Sequence, residues 1–242
     1  MYTINNNQLT FVDSRFYKTQ DGGFVPSVTT VCECYPKGAA YFNWLKENGK
    51  DADEIRDEAG RRGSVVHKLT ELYDAGEEVH LVNPNGSIDY KLNEWAMFER
   101  YVEFRSRFQF VTDCIELNII SKDLGYAGTI DRVITMNGEK ILLDIKTSNA
   151  IYPSYWLQLA AYRSLLMNTV GKKVDKVAIL WLNAKTRTEG KKGDIQGIGW
   201  QMIIKEDTTK DLELFNATHQ LWMAENQTSK PKQLTYQISH KL

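Results

Sequence analysis

The spacing of apolar residues changes near residue 113 of the 242-residue chain. Before that point, apolar side chains mostly recur with helical spacing, and after it they alternate with the period of two that is typical of strands. The predicted helices cover a short segment capped by Ser27 and residues 39–47, 53–75, 90–108, 153–167 and 211–225. The predicted strands cover residues 114–121, 126–135, 140–148, 176–182 and 198–204. Helices followed by a βββαβ(β)α order predict an α/β or α+β fold.

The two ends of the chain give weaker patterns. Residues 8–19 alternate loosely and precede Asp21-Gly22-Gly23, which predicts a short N-terminal hairpin. No linker rich in Pro, Gly or Ser divides the chain, so we expect one domain over residues 1–242. It would comprise a helical part at about 27–108, a core at about 110–225 and a polar tail at 226–242 that is frayed or lightly docked.

Composition limits the classes of protein. Lys and Arg total 30 against 31 Asp and Glu, which excludes a wholesale basic coat but not a nucleic-acid enzyme with separate acidic and basic regions. Three cysteines exclude a disulfide-dependent scaffold and a four-thiolate metal site from one chain. The N-terminus has no signal-peptide pattern and no segment is apolar enough to span a membrane, so we expect a cytoplasmic protein without membrane contact.

Two aspartates are predicted to face each other across a hairpin. Asn137-Gly138 is a strong signal for a two-residue hairpin loop, because both residues of a type I′ turn need positive φ. That loop places Asp131 directly opposite Asp144, where like charges destabilise a sheet unless something compensates them. A divalent cation is the simplest compensation.

Alternation along the third strand separates a core face from a polar one. Residues 141, 143 and 145 are isoleucine or leucine and point one way, whereas Asp144 and Lys146 point the other way. A four-residue loop at 122–125 would also bring Glu116 opposite Asp131, although a slip of one residue would turn Glu116 to the other face. Three carboxylates would then lie in a row across three strands.

Hard oxygen ligands of this kind suit Mg²⁺ or Mn²⁺, and a nearby lysine can orient a water or stabilise phosphate charge. These are the groups that phosphodiester hydrolysis needs. The competing interpretation is that turn amides satisfy Asp131 and Asp144 while Lys146 is simply solvated. The matching register and the preceding carboxylate favour the metal site.

Six segments occur in the order found in a known group of nucleases. They are PSVTTV at 26–31, GRRGSVVH at 60–67, the strand with Glu116, GYAGTIDRV at 125–133, LLDIKTS at 142–148 and QLAAY at 158–162. The chain therefore resembles the PD-(D/E)xK nuclease superfamily. Within it, the chain is similar to the RecB-type exonucleases, which include the mitochondrial genome maintenance exonuclease and phage relatives. The likeness extends over about residues 24–205.

This resemblance implies a restriction-endonuclease-like core with a mixed central sheet flanked by helices. It implies that His67, Asp131 and Asp144 hold Mg²⁺ or Mn²⁺ and that Lys146 is catalytic. Gln158 and Tyr162 are implied to support the site. From the register of the strands, we expect Glu116 to assist it. The chain lacks the four cysteines of the iron-sulfur subgroup, so no iron-sulfur cluster is expected.

Further support comes from the predicted helices. Glu71 and Asp74 follow His67 at i+4 and i+7 on one helix face. Gln158 and Tyr162 are spaced i, i+4, which equally describes the polar edge of an amphipathic helix. Without the ordered motifs, His67 would be an ordinary surface or core histidine.

Candidate nucleic-acid contacts lie on both sides of this site. Basic side chains could bind phosphate, Tyr155 could stack on unpaired bases, and hydroxyl groups near a helix N-terminus could also contact phosphate. The competing interpretations are solvated charges, core packing and helix capping, respectively. The candidates are Arg61, Arg62, Ser27, Thr29, Tyr155, Lys185 and Arg187.

Together these features predict a Mg²⁺- or Mn²⁺-dependent deoxyribonuclease that trims DNA, from single-stranded or free ends, in replication, recombination or repair. Partners in replication or recombination are compatible with this role, as is a phage source, which would place the protein in the host cytoplasm. One alternative is a structure-specific endonuclease on the same core. Another is a catalytically silent nucleic-acid-binding module of a recombination complex.

Overall fold

The computed structural model describes residues 2–5, 8–12, 16–184, 199–227, 231 and 233–237. Its helices are α1 Val28–Glu33, α2 Ala39–Asn48, α3 Ala52–Asp74, α4 Leu92–Arg107, α5 Pro153–Leu165 and α6 Thr209–Glu225. Its strands are β1 Tyr2–Asn5, β2 Gln8–Val12, β3 Phe16–Lys18, β4 Phe24–Pro26, β5 Val111–Ser121, β6 Tyr126–Met136, β7 Glu139–Lys146, β8 Lys176–Trp181, β9 Gln201–Lys205 and β10 Gln233–Gln237. All the helices and central strands expected from the sequence are present, with ends that differ by a few residues.

A five-stranded sheet with the order β5-β6-β7-β8-β9 forms the centre of the fold. Its neighbouring strands are antiparallel except for the parallel pair β7 and β8. The parallel pair requires a crossover, which α5 supplies between these strands. The chain therefore has the predicted α+β class with a mixed central sheet.

Helices cover both faces of this sheet, so its central strands are buried on both sides. One face packs with α1, α5 and α6 around residues such as Leu142 and Phe215. The other packs with α4 and part of α3 around Leu143, Tyr101 and Val66. The alternation of β7 is thereby confirmed, since Leu142 and Leu143 enter different cores.

The turns that set the strand register also agree with the sequence. Asn137 and Gly138 have φ of 53° and 81°, as a type I′ turn requires. Strand β5 ends at Ser121 and β6 begins at Tyr126, which leaves the expected four-residue loop between them. Gly125 closes that loop with a φ of 76°, in the region that glycine adopts most readily.

The ends of the chain are organised differently from the prediction. The hairpin around Asp21-Gly22-Gly23 joins β3 to β4, but residues 8–12 form β2, which pairs instead with β1 and β10. Within the tail that was predicted to be frayed or lightly docked, residues 233–237 form a strand that pairs with β2. In the parts of the chain described above, no helix has the length and apolar character needed to cross a membrane.

Candidate metal centre

The candidate site lies where β6 and β7 separate. Their pairing keeps the predicted register from Met136–Glu139 as far as Arg132–Leu143 and stops there. The next pair in that register would be Asp131 and Asp144. At this position the two backbones do not pair, and the carboxylate of Asp131 instead accepts a hydrogen bond from the backbone N–H of Ile145 at 2.7 Å. The acidic pair therefore borders a gap in the sheet rather than lying within a continuous ladder.

His67 approaches this gap from α3. Its Nε2 is 3.0 Å from the backbone oxygen of Ile145, and its Nδ1 is 3.6 Å from Oδ2 of Asp131. A carbonyl oxygen can only accept, so Nε2 donates the hydrogen, and in the neutral ring Nδ1 carries the lone pair. A histidine whose other nitrogen bonds a backbone carbonyl is a common arrangement for a metal ligand.

Glu116 completes a group of three possible ligands. One atom each from His67, Glu116 and Asp131 all lie within 4.8 Å of one another. Burial and the nearby charge of Asp131 raise the pKa of Glu116, as expected for a partly buried carboxylate beside another one. The predicted approach of Glu116 to Asp131 is therefore present.

Asp144 and Lys146 form an ion pair beside this trio. Asp144 Oδ2 is 2.7 Å from Lys146 Nζ, and the side chains are 1% and 16% exposed, respectively. Burial raises the pKa of Asp144 to about 6, and Asp131 adds to this effect, although Lys146 opposes it. Burial also opposes the charge of Lys146, but attraction to Asp144 and Asp131 outweighs it and raises the pKa of the lysine.

This burial argues against the competing interpretation of the sequence, in which Lys146 is simply solvated. Its side chain is instead mostly enclosed, and removing it would leave Asp144 without its cation. Substitution of Lys146 is therefore expected to change the charge state of Asp144 as well as the chemistry of the site.

Helix α5 holds Lys146 from the other side. Lys146 Nζ donates to Gln158 Oε1 at 3.0 Å, and Gln158 Nε2 donates to the Tyr162 hydroxyl at 2.9 Å. The ammonium also lies 4.6 Å from the ring centroid of Tyr155. Spacing of i, i+4 brings Gln158 and Tyr162 onto one face, so this part of the sequence prediction has a direct structural counterpart.

The arrangement suits a hard divalent cation. Carboxylate oxygens and an imidazole are suitable donors for Mg²⁺ or Mn²⁺. Oδ2 of Asp144 pairs with Lys146, whereas Oδ1 is buried with no hydrogen-bond partner among the described residues. Because an unsatisfied buried carboxylate oxygen is costly, a cation near Asp144 would satisfy it. The resemblance implied His67, Asp131 and Asp144 as ligands, whereas the trio in the structure contains Glu116 in place of Asp144. Asp144 remains a predicted fourth ligand.

The two neighbouring arginines of α3 have different surroundings. Arg61 bonds Glu58 and also Glu94, whose carboxylate is only 1% exposed, so it joins α3 to α4. These carboxylates raise the pKa of Arg61. Arg62 lines a cleft of about 310 Å³ together with Asn149, and its Nε is buried with no hydrogen-bond partner among the described residues. Arg62 is thus the more available of the two for a phosphate.

The remaining candidates for nucleic-acid contact have mixed positions. Ser27 is buried and caps α1 by accepting from the backbone N–H of Thr30 at 3.0 Å, so its hydroxyl is already engaged. Thr29 is exposed, and Tyr155 is half-buried against Lys146. Lys185 and Arg187 lie outside the described residues.

Sequence reasoning missed a buried charged group behind the site. Arg132 and Asp74 are fully enclosed, and Arg132 Nε donates to Asp74 Oδ2 at 2.7 Å. The available signal was a charged residue beside Asp131, within a strand whose other positions build the core. The spacing of Asp74 at i+7 from His67 placed both on one helix face, but only the tertiary structure brings Asp74 to Arg132.

Comparisons with known proteins add little to this description. No family model and no curated protein matches the chain. Fifteen chains of solved structures match. One of them, described as a crystal structure of SSO0001, is 19% identical over 54% of this chain and 59% of that chain, with a TM-score of 0.29. This chain thus spans 59% of that structure, and a likeness at this level carries no argument about function.

Proposed function

We propose that this chain is a Mg²⁺- or Mn²⁺-dependent deoxyribonuclease with a PD-(D/E)xK type of core, which hydrolyses phosphodiester bonds from DNA ends. The observation that carries the proposal is the meeting of two groups at the gap between β6 and β7. The trio of His67, Glu116 and Asp131 could hold a metal, and the Asp144–Lys146 pair lies next to it.

The backbone of one residue, Ile145, links the metal-binding trio to the Asp144–Lys146 pair. Ile145, which lies between Asp144 and Lys146 in β7, donates its N–H to Asp131 and accepts from His67 through its carbonyl oxygen. The N–H and the carbonyl group of Ile145 are thus both hydrogen-bonded by candidate metal ligands. This arrangement supports a reaction centre rather than two unrelated surface charges.

A bound divalent cation would supply Lewis acidity, polarising a phosphate oxygen and lowering the pKa of a water. The chain's own groups would do the rest. Lys146, oriented by Gln158 and Tyr155, would hold the attacking water or a phosphate oxygen near Asp144. Because the Lys146 ammonium is already held in a mostly enclosed position, little reorganisation is needed when negative charge develops on the phosphate.

The decisive experiment uses the full chain on single strands and duplexes labelled at either end, and on a covalently closed single-stranded circle. Each substrate is incubated with Mg²⁺, Mn²⁺ or EDTA. We expect metal-dependent shortening of linear DNA from its ends and an intact circle. Cutting of the circle would favour the endonuclease alternative, and binding without cleavage in either metal would overturn the proposal.

Variants assign the activity to this site. Asp131→Asn and Lys146→Met are expected to lose at least about 100-fold in cleavage rate, which corresponds to removing a charged group that acts on the transition state. Asp123→Asn is the matched control, because this aspartate is exposed in the turn between β5 and β6. Circular dichroism confirms that each variant is folded. Equal loss in the control would point to a contaminating or non-specific effect.

A further inference from the structure

Glu116 has an unusual backbone for a residue inside a strand. Its φ is 47°, in the left-handed region that a non-glycine residue seldom adopts. The β5–β6 register continues on both sides, with Leu117 opposite Ile130 and Ile115 opposite Arg132. Such backbone strain persists only where the surroundings impose it.

Arg132 is the buried residue that reaches Glu116. Its Nη1 donates to the backbone oxygen of Asp131 at 2.6 Å and lies 3.4 Å from Glu116 Oε1. Its Nη2 donates to Thr70 Oγ1 at 3.3 Å, and its Nε to Asp74 Oδ2 at 2.7 Å. One guanidinium therefore connects the backbone of one candidate ligand to the side chain of another.

Asp74 fixes that guanidinium from behind. Its side chain is fully enclosed at the end of α3, and it also accepts a hydrogen bond from the Tyr101 hydroxyl of α4. Its other oxygen is 3.3 Å from Arg105 Nε. Both partners of the Arg132–Asp74 pair are desolvated, and the free energy lost on desolvation offsets much of their attraction. Such a pair therefore adds little stability as a link between α3 and β6.

We propose that Arg132, held in place by Asp74, is a positioning residue that fixes Glu116 in its strained conformation and thereby sets the affinity of the site for a divalent cation. Arg132 takes up one carboxylate oxygen from behind, which restricts how the carboxylate can turn between His67 and Asp131. This inference rests on the proposed metal site and explains how Glu116 is held in position within it.

A purely structural role for Arg132 gives a different expectation. If the arginine only joined β6 to α3, its replacement would lower the free energy of unfolding and leave the affinity of the folded protein for metal unchanged. If it acts through Glu116, its effect on metal affinity must disappear once Glu116 can no longer serve as an anionic ligand. The two roles are therefore separable by a double-mutant cycle.

The experiment measures Mn²⁺ binding by isothermal titration calorimetry for the full chain and for Arg132→Lys, Glu116→Gln and the double variant. Lysine keeps the charge but cannot bond Asp74, Thr70 and Glu116 together. We expect Arg132→Lys to weaken Mn²⁺ binding about tenfold or more, and to add no further weakening in the Glu116→Gln background. Independent effects that multiply, or an unchanged affinity in Arg132→Lys, would overturn the proposal.

Two further variants keep the test decisive. Arg163→Lys is the matched control, because Arg163 bonds the backbone oxygens of Val174, Asp175 and Glu206 away from the site. It should lower stability without changing Mn²⁺ affinity. Asp74→Asn serves if Arg132→Lys does not fold. It removes the anion that holds Arg132 in place and should weaken Mn²⁺ binding, so an unchanged affinity there also contradicts the proposal.

The same titration separates this inference from the proposed function. If the unaltered chain binds no Mn²⁺, the metal site itself is wrong. If it binds Mn²⁺ but the cycle shows independent effects, only the role of Arg132 is wrong.

Discussion

The ring of Tyr162 packs directly over Gly128. A Cβ placed on this glycine would lie far inside the normal contact distance from Cε1 of Tyr162. Tyr162 in turn accepts the hydrogen bond from Gln158, which bonds Lys146. The absence of a side chain at residue 128 is thus a condition for the position of the lysine.

Gly128→Ala is therefore expected to affect both stability and activity. Overpacking against Tyr162 should cost about 1–3 kcal/mol of unfolding free energy and displace Gln158, which lowers the cleavage rate. Urea denaturation and the DNA digestion assay measure the two effects. Gly60→Ala is the control, because an added methyl group there meets no atom within 4 Å, and alanine should stabilise α3 by up to about 1 kcal/mol. Equal behaviour of the two variants would contradict the packing argument.

Arg61 and Arg62 should separate into a structural and a binding residue. Arg61→Gln leaves the buried carboxylate of Glu94 without its cation, which should cost about 1–3 kcal/mol of stability without weakening DNA binding. Arg62→Gln should have little effect on stability but should lower DNA affinity. It should also reduce the slope of log affinity against log salt concentration by about 1, as expected for the loss of one phosphate contact. Fluorescence anisotropy at several salt concentrations, in the Asp131→Asn background to prevent cleavage, measures the second effect.

The control for this pair is Arg56→Gln. Arg56 is exposed and pairs only with exposed aspartates of its own helix among the described residues, so its replacement should change stability by less than about 1 kcal/mol. A loss of DNA affinity in Arg61→Gln that matches the loss in Arg62→Gln would show that both arginines contact the strand.

Metal binding should become more stabilising as the pH rises. The pKa of Asp144 is about 6 in the folded chain against an ordinary value of 3.8, because burial disfavours its charge. Its stabilising contribution is full below about pH 4 and is lost as the pH rises through about 6, a change of order 3 kcal/mol. A cation that binds the ionised carboxylate should restore this loss.

We therefore expect Mn²⁺ to raise the melting temperature more at pH 7 than at pH 5, as measured by differential scanning calorimetry. In Asp144→Asn this difference between the two pH values should shrink, since the amide does not titrate. A metal-induced gain that is independent of pH in the unaltered chain would contradict the role of Asp144.

His219 should destabilise the chain in mild acid for an unrelated reason. It is buried on α6, stacked on Phe215 and edge-on to Tyr126, and burial lowers its pKa below the ordinary 6.5. A lowered histidine pKa stabilises the fold above pH 6.5, and this contribution is lost as the pH falls below that value. His219→Gln should therefore show a smaller loss of stability between pH 7 and pH 5 in urea denaturation. An identical loss in both proteins would exclude this histidine as the cause.

The sequence predicted most of the central fold because local signals and long-range pairing agree there. Asn137-Gly138 determined the β6–β7 register, and strand alternation separated Leu142 from Leu143. Pairing at the chain ends was not predictable, because β2 meets β10 across more than 200 residues and neither strand has a turn signal that specifies the other.

The candidate site was predictable only in part for a similar reason. Periodicity brought Asp131, Asp144 and Lys146 together, but it could not show that β6 and β7 part at these residues. Nor could it show that Lys146 is enclosed, because α5 packs over that end of the strand only in the tertiary structure. The Arg132–Asp74 pair likewise depends on the packing of α3 against β6.

The hydrogen bond from Ile145 to Asp131 bears on how an inactive form of this protein should be made. The carboxylate of Asp131 takes the place of a backbone hydrogen bond between β6 and β7, and the same side chain belongs to the proposed metal-binding trio. An alanine at residue 131 would orphan a buried backbone N–H, whereas an asparagine can still accept that hydrogen bond through its amide oxygen. The Asn form is therefore the better starting point for trapping a substrate complex in crystals, since it should stop the proposed cleavage while preserving the strand that carries Asp131.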